Sequence, residues 1–163
     1  MKNAARIKVV RMKPSSAKVV ASLFQQVVSG LGYYNLRARR EELAKYTELE
    51  LKKMRAEDED SILVAMLGGR AVGFCFSRYD DGLIWLSWFG ILKDCRGMGF
   101  GSALLEALQQ TVRRRRCHKL WCDTRTSNLA SQRLLKKFSF RRICKLENHW
   151  YSQDFYLWQK PIG

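Results

Sequence analysis

Apolar residues follow two different periods along this chain. Between residues 61 and 92 they form short, dense runs. Ser61-Ile-Leu-Val-Ala-Met-Leu67 is rich in β-forming residues and ends at Gly68-Gly69, a pair suited to a two-residue hairpin turn. Ala71-Val-Gly-Phe-Cys-Phe-Ser-Arg-Tyr79 reads as the return strand, Asp80-Asp81-Gly82 as a second turn, and Leu83-Ile-Trp-Leu-Ser-Trp-Phe-Gly-Ile-Leu92 as a third strand. Ile7 to Met12 reads as a strand that opens the chain. Elsewhere the period is helical. Pro14-Ser15-Ser16 starts a helix, Gly30-Leu31-Gly32 ends it, and Val19, Val20, Leu23, Phe24, Val27 and Val28 predict its buried face. Leu36 to Glu59 carries Leu43, Tyr46, Leu49, Leu51 and Met54 among many charges, which predicts one or two amphipathic helices. Leu104, Leu105, Leu108 and Val112 mark the core face of a helix from Ser102 to Arg116.

Between the third strand and that helix lies Arg96-Gly97-Met98-Gly99-Phe100-Gly101. Glycines at a strand-to-helix turn allow positive φ and a close backbone approach to a ligand. The free N–H groups of the first helical turn and the helix dipole then favour an anion. Arg96 adds a fixed charge with bidentate geometry. Arg96 to Ser102 therefore reads as a cradle for a phosphate or pyrophosphate, although a glycine-rich turn by itself also serves purely structural roles. The Walker pattern fails, because no Lys-Ser or Lys-Thr follows the last glycine. The dinucleotide pattern nearly fits, with Ser102 in the third glycine position and Asp123 about 20 residues on. That fingerprint opens a βαβαβ domain, however, and here an antiparallel meander feeds the turn.

This order of elements resembles the GNAT superfamily of acyl-CoA N-acyltransferases, whose signature Gln/Arg-x-x-Gly-x-Gly/Ala is matched by Arg96, Gly99 and Gly101. Leu120-Trp-Cys-Asp-Thr-Arg-Thr-Ser-Asn128, followed by Ser131, Leu134, Lys137, Phe138 and Phe140, is similar to the family's fifth strand and fourth helix. Trp150 to Lys160 looks like its last strand. The resemblance runs from about residue 5 to residue 162. It implies an α/β (α+β) fold in a single domain over residues 1–163: a mixed, mostly antiparallel sheet with helices on both faces, split into a V where acetyl-CoA binds as the acyl donor.

Acetyl transfer to an amine needs a pyrophosphate cradle, a donor for the thioester oxygen, a base for the ammonium proton and an acid for the leaving thiolate. The cradle is Arg96, Gly97, Met98, Gly99, Phe100, Gly101 and Ser102. The resemblance maps the oxygen-facing backbone N–H groups of the splayed fourth strand to Phe89, Gly90 and Ile91; donors of this kind are worth about 3–4 kcal/mol in hydrolases. The base it implies is Asp123. Bacterial N-terminal-alanine acetyltransferases acting on a ribosomal protein have a similar segment, with Glu at this position. Asp is one methylene shorter and reaches the ammonium directly or through a water. Its basic surroundings are expected to keep it ionised. The alternative is a strand-end carboxylate paired with Arg125 or a nearby lysine. The family's other catalytic-Glu position, on the fourth strand, holds Trp85, and no carboxylate lies from Leu83 to Lys93.

For the acid the chain departs from the family. Leu-Tyr-x-x-x-Gly-Phe is here Leu134-Leu135-Lys136-Lys137-Phe138-Ser139-Phe140, so Leu135 stands where the tyrosine is expected. Tyr151 in the tail is the candidate replacement, with His149 and Tyr156 as alternatives, while Cys122 packs in its strand. Asn128 is expected to touch the pantetheine arm or hold its loop, and it suits an N-cap. Tyr33 and Tyr34, in the loop that borders the family's acceptor site, either touch substrate or pack on the sheet.

Composition narrows the setting. The 163 residues suit one domain with one core. No apolar run approaches the ~20 residues of a bilayer span, and Met1 to Lys13 lacks the apolar centre of a signal peptide. Cys75, Cys95, Cys117, Cys122 and Cys144 are scattered, with no zinc-type cluster, and read as reduced thiols. A cytoplasmic location without metal or membrane is expected. Thirty basic and 15 acidic residues give a net charge of +15, and residues 113–145 hold twelve Lys/Arg against one acid, Asp123. Arg113 to Arg116 fit a solvated helix end that complements the dipole. Such a surface attracts polyanions and repels polycations, which disfavours polyamines as acceptors and favours a ribosome-associated protein or an acidic peptide. The reading is an N-acetyltransferase, monomer or homodimer, acting from acetyl-CoA on a primary amine such as a protein N-terminus. A small-molecule amine acetyltransferase and a non-catalytic acyl-CoA-binding or RNA-associated module are the alternatives.

Overall fold

The computed structural model describes residues 7–163. In chain order the elements are β1 (Lys8–Arg11), α1 (Ala17–Ser29), α2 (Leu36–Lys45), α3 (Glu48–Glu57), β2 (Ile62–Leu67), β3 (Arg70–Asp80), β4 (Leu83–Ile91), α4 (Phe100–Arg114), β5 (Lys119–Arg125), α5 (Leu129–Lys137), β6 (Arg141–Leu146) and β7 (Phe155–Pro161). Single 3-10 turns lie at Pro14–Ser16, Lys93–Cys95 and Trp150–Ser152. The strands form one sheet in the order β1-β2-β3-β4-β5-β7-β6, antiparallel everywhere except between β4 and β5. This is the mixed, mostly antiparallel α+β sheet that the strand pattern and the resemblance predicted.

Local chemistry sets the turns. Gly68 and Gly69 have φ 55 and 84, and Asp81 and Gly82 have φ 45 and 86. Two successive positive φ values match the right-handed twist of a hairpin. The charged stretch after residue 35 forms two helices. Asn35 caps α2 by accepting from the Ala38 N–H at 2.8 Å, and Thr47 caps α3 by accepting from the Glu50 N–H.

Three expectations change. Val19 is 54% exposed, so the buried face of α1 is Ala17, Val20, Ala21, Leu23, Phe24, Val27 and Val28. The end of α4 is not merely solvated: Arg114 donates to Asp60 at 2.7 Å and Arg115 to Asp58, tying α4 to the loop before β2. β6 is a strand that the apolar pattern did not signal.

The core sits on both faces of the first four strands. A Cβ added at Gly90 would lie 2.6 Å from the Phe74 ring and 2.9 Å from Val27 of α1, whereas one at Gly73 would meet Ile91 and Leu104 of α4. Helices α1 and α4 therefore cover opposite faces. On the α1 face Phe24 packs against Tyr46, Phe74, Phe76 and Trp88, with ring centroids 4.9–5.6 Å apart. Aromatic pairs of this geometry are worth about 0.5–1.5 kcal/mol each beyond their burial. They anchor β4 against β3 and α1.

Because the Gly90 side of β4 has no room for a methyl group, Gly90→Ala is expected to destabilise the fold by about 1–3 kcal/mol. A urea melt should show a lower midpoint with an unchanged slope. An unchanged midpoint would mean that Phe74 swings aside freely.

Candidate active site

Strands β4 and β5 pair only from Leu83↔Lys119 to Leu86↔Cys122. Beyond that point they part. β4 stays with β3 as far as Ile91, and β5 stays with β7 as far as Arg125. The β4–β3 register shifts between Phe76 and Ser77, leaving Ser87 as a bulge at the fork. Backbone groups on the inner edges of residues 87–91 and 123–125 consequently lack a strand partner across the fork. A cavity of about 90 Å³ fills it, lined by Ser87, Phe89, Leu105, Asp123, Asn128, Leu134 and Leu135 among others.

The glycine turn borders this cleft without lining it: a Cβ on Gly101 would lie 3.2 Å from Leu134 and 3.5 Å from Phe89, both of which do line it. Gly97 and Gly99 have φ 76 and 91, and Gly99 is the N-cap of α4 with no side-chain cap. The first α4 bond from this cap runs from the Ala103 N–H to the Gly99 carbonyl, so the Phe100, Gly101 and Ser102 N–H groups lack helical partners. Arg96 is exposed and its Nε donates to the Ile91 carbonyl at 3.2 Å, which ties its guanidinium to the end of β4. Lys137 of α5 reaches Ser102 Oγ at 3.4 Å and adds a second cation. Unpaired N–H groups, positive-φ glycines and two cations suit a pyrophosphate, and the open strand edges suit an amide-bearing arm. The residues fit acetyl-CoA.

The other cofactor candidates divide. Phe89 and Asn128 line the cleft, whereas Gly90 and Ile91 do not. Gly90 is glycine because of the Phe74 ring, and Gly101 because a Cβ there would lie 3.2 Å from Leu134. The Met98 side chain is exposed. Asn128 both caps α5, accepting from the Ser131 N–H, and donates to the Tyr33 hydroxyl at 3.1 Å.

A wide groove of about 1370 Å³ meets the cleft from the side of α2 and α3. Asp123, the first β5 residue past the fork, lines both spaces. Its Oδ2 accepts from Trp150 Nε1 at 2.8 Å, and among the described residues it pairs neither with Arg125 nor with a lysine. Burial raises the carboxyl above the ordinary aspartate range, outweighing the Trp150 hydrogen bond and the charges of His149 and Arg125. The expected depression by basic surroundings is overturned, because the cations of α5 and β6 point outward.

Tyr151 is not brought into the cleft. It lines the groove and donates to Glu42 Oε1 at 2.6 Å, which commits its hydroxyl on the acceptor side. Leu135 does line the cleft, and the Tyr33 hydroxyl, held by Asn128, belongs to a residue lining the same space. Burial raises the Tyr33 phenol and keeps it protonated. Tyr34 stacks on Trp88 at 5.5 Å, so both loop tyrosines form site walls. His149 packs edge-on against Trp150, and burial pushes the Cys122 thiol up.

Glu42 was not singled out by the sequence. It is 8% exposed, and its second oxygen accepts from Trp88 Nε1 at 2.7 Å. A carboxylate thus does reach β4, delivered by α2 rather than by the strand itself. The only signal for it was phase: Ala38 and Glu42, four apart, are the buried residues of α2.

The acetyltransferase (GNAT) family profile matches residues 31–140. An uncharacterised N-acetyltransferase of Methanocaldococcus jannaschii is 30% identical over 79 residues, 48% of this chain and 51% of that protein. An acetyltransferase of Pectobacterium atrosepticum is 27% identical over 96 residues, 59% of this chain and 68% of that one. The matches thus span about half of the first relative (51%) and about two thirds of the second (68%). Among solved structures, a GNAT-family acetyltransferase from Streptococcus pneumoniae superposes with a TM-score of 0.84 at 22% identity, covering 97% of this chain and 100% of the other. The PaiA N-acetyltransferase from Thermoplasma acidophilum, in complex with coenzyme A, gives 0.81 at 13%, covering 96% and 99%. The ribosomal-protein-S18-alanine N-acetyltransferase from Escherichia coli gives 0.76 at 16%, covering 97% and 95%. At these identities the structural likeness is one of fold.

The raised Asp123 carboxyl has a consequence for stability. Between its unfolded and folded titration points the native state holds the extra proton, so this group's contribution to stability falls as pH rises. Asp123→Asn is therefore expected to raise Tm relative to wild type at about pH 7, with the gap closing near about pH 4, where aspartate ordinarily titrates. A gap of equal size at both pH values would contradict the burial argument.

Proposed function

The chain belongs to the acetyltransferase (GNAT) family, and we propose that, as a single domain over residues 1–163, it transfers an acetyl group from acetyl-CoA to the N-terminal amine of a protein or peptide. The observation that carries this reading is the position of Asp123, at the fork where the cleft bordered by the glycine turn opens into the groove. The groove, at about 1370 Å³, exceeds the roughly 300–1,000 Å³ of ordinary small-molecule sites. An open groove of this extent has room for a peptide.

Acetyl-CoA supplies the thioester carbonyl and a thiolate leaving group. Arg96, Lys137 and the first turn of α4 hold the phosphates by charge and by N–H donation. The open β4 edge over residues 87–91, with Phe89 and Asn128 beside it, orients the arm. Asp123 accepts the proton of the incoming ammonium, and Trp150 fixes the rotamer that aims its free oxygen. Burial raises the carboxyl, which makes its ionised form a stronger base than an ordinary aspartate. Tyr33, protonated and beside Asn128, donates a proton toward the departing sulfur. Tyr151 orients Glu42 on the acceptor side. The exposed cations Arg133, Lys136, Arg141, Arg142 and Lys145 attract the enzyme to polyanionic assemblies that display such N-termini.

The test combines calorimetry with thiol release and mass spectrometry on short peptides. Wild type should bind acetyl-CoA and acetylate a free peptide N-terminus. Gly97→Glu has open space for its side chain but is strained at φ 76; compared with Gly97→Ala, which carries the same strain, it should weaken acetyl-CoA binding at least about 100-fold while the two variants share one circular dichroism spectrum. Unaltered affinity would sink the cradle. Asp123→Asn should lower kcat by about 10²–10⁴-fold without changing acetyl-CoA affinity, and full activity would remove Asp123 as the base.

A further inference from the structure

Arg125 is 3% exposed, and none of its three guanidinium nitrogens has a hydrogen-bond partner among the described residues. Its guanidinium lies over the Tyr34 ring at 3.8 Å and over the Phe155 ring at 5.0 Å. The two π faces hold it in place and attract its charge. They leave its in-plane N–H groups without an acceptor. A buried charged donor in that state is costly unless an acceptor arrives with a ligand.

The neighbouring carboxylates do not take it up. Asp123 is bound to Trp150, and Glu42 to Trp88 and Tyr151. Arg125 lies two residues beyond Asp123 on the same face of β5, roughly 7 Å along the strand. Trp121, Asp123 and Arg125 line the groove, Asp123 and Arg125 lining the cleft as well, whereas Cys122 and Thr124 line only the cleft, so Arg125 stands with Asp123 where the two spaces meet. The missing oxygen therefore comes with the acceptor.

We infer that Arg125 receives the first carbonyl oxygen of the acceptor polypeptide while its α-amine faces Asp123, so that the site selects N-terminal α-amines over side-chain amines and polyamines. This rests on the acetyl-transfer reading of the same fork. A peptide N-terminus carries a carbonyl on the carbon next to its amine-bearing carbon. A lysine ε-amine or a polyamine has no oxygen there. The extent of the open groove suits a chain.

The experiment compares initial rates of thiol release, with acetylation confirmed by mass spectrometry. The acceptors are an alanyl tetrapeptide with a free N-terminus, the same peptide with its first carbonyl reduced to methylene, an N-blocked lysyl tetrapeptide, and spermidine. In wild type, kcat/KM for the free N-terminus should exceed that for the other three by about 10–100-fold, the range of one charge-assisted hydrogen bond. Arg125→Met, which keeps the apolar stacking, should lose about that factor on the free N-terminus. It should keep its rates on the carbonyl-lacking amines and its acetyl-CoA affinity. Wild-type rates that ignore the carbonyl would overturn the inference without any variant. An equal loss on every acceptor would assign Arg125 to the donor or the fold instead. Turnover of spermidine but not of any peptide N-terminus would overturn both the peptide reading and the inference while leaving acetyl transfer intact. Acetyl-CoA binding without turnover of any amine would remove acetyl transfer itself and the inference with it.

Discussion

Everything in this site depends on two adjacent strands that stop pairing. β4 and β5 share four register positions, and each is then committed to its outer neighbour. β4 cannot follow β5, because the Phe24, Phe74, Phe76 and Trp88 cluster and the tight Gly90–Phe74 contact hold it to β3 and α1. β5 cannot follow β4, because all seven of its residues pair with β7. The fork is therefore fixed before any ligand arrives. Its unpaired strand edges carry a standing desolvation cost that a ligand bearing amides can offset. A cleft that needs no reorganisation on binding is what electrostatic catalysis requires.

Net charge and local charge tell different stories. A chain at +15 should repel cations on approach, and that consideration disfavoured cationic acceptors. Yet the inner wall of the groove carries Glu42 and Asp123, and much of the arginine charge is spent structurally. Arg114 and Arg115 clamp Asp60 and Asp58, and Arg11 bonds Glu59 and Asp60. Fields fall off over about 10 Å in physiological salt, so the groups within the fork govern what is bound there. The outer surface acts at longer range, on large charged partners.

The parts of the structure written in local sequence were legible. Gly68-Gly69 and Asp81-Gly82 impose positive φ, the apolar runs between them allow only a meander, and Gly97 and Gly99 take positive φ at the turn into α4. Asp123 was singled out because it falls in a recognisable block, and it lies at the fork. What escaped depends on tertiary placement. β6 is exposed on nearly every residue, and its Arg-Arg-Ile-Cys-Lys-Leu sequence alternates in no way that marks a strand. Glu42 lies in a helix charged almost all round, where only its helical phase distinguishes it. The hydrogen bonds of Tyr151 to Glu42 and of Asn128 to Tyr33 each span more than ninety residues of sequence, which spacing cannot reveal. Arg125 looked like a salt-bridge partner for Asp123. Trp150 takes that carboxylate instead, and sequence spacing cannot reveal it.

The segment that carries Trp150 and Tyr151 has an unusual backbone. Asn148, Tyr151 and Ser152 have φ 47, 54 and 58, and none is glycine. Asn adopts left-handed backbone readily, but for Tyr151 and Ser152 it costs about 1–2 kcal/mol each. Such a cluster persists only where its surroundings hold it. The hydrogen bonds are visible: Asn148 N–H to Asp154, His149 N–H to the Gln153 carbonyl, and Asn35 Nδ2 to the Tyr151 carbonyl. Two more run outward, Trp150 to Asp123 and Tyr151 to Glu42. A relaxed loop could satisfy its own backbone without them. The strained one presents two neighbouring side chains to two carboxylates on different elements, β5 and α2. Both acids of the groove are thereby fixed by a single short segment, so their separation is set by that turn as well as by the sheet. The groove therefore presents a pair of carboxylates whose spacing is already decided.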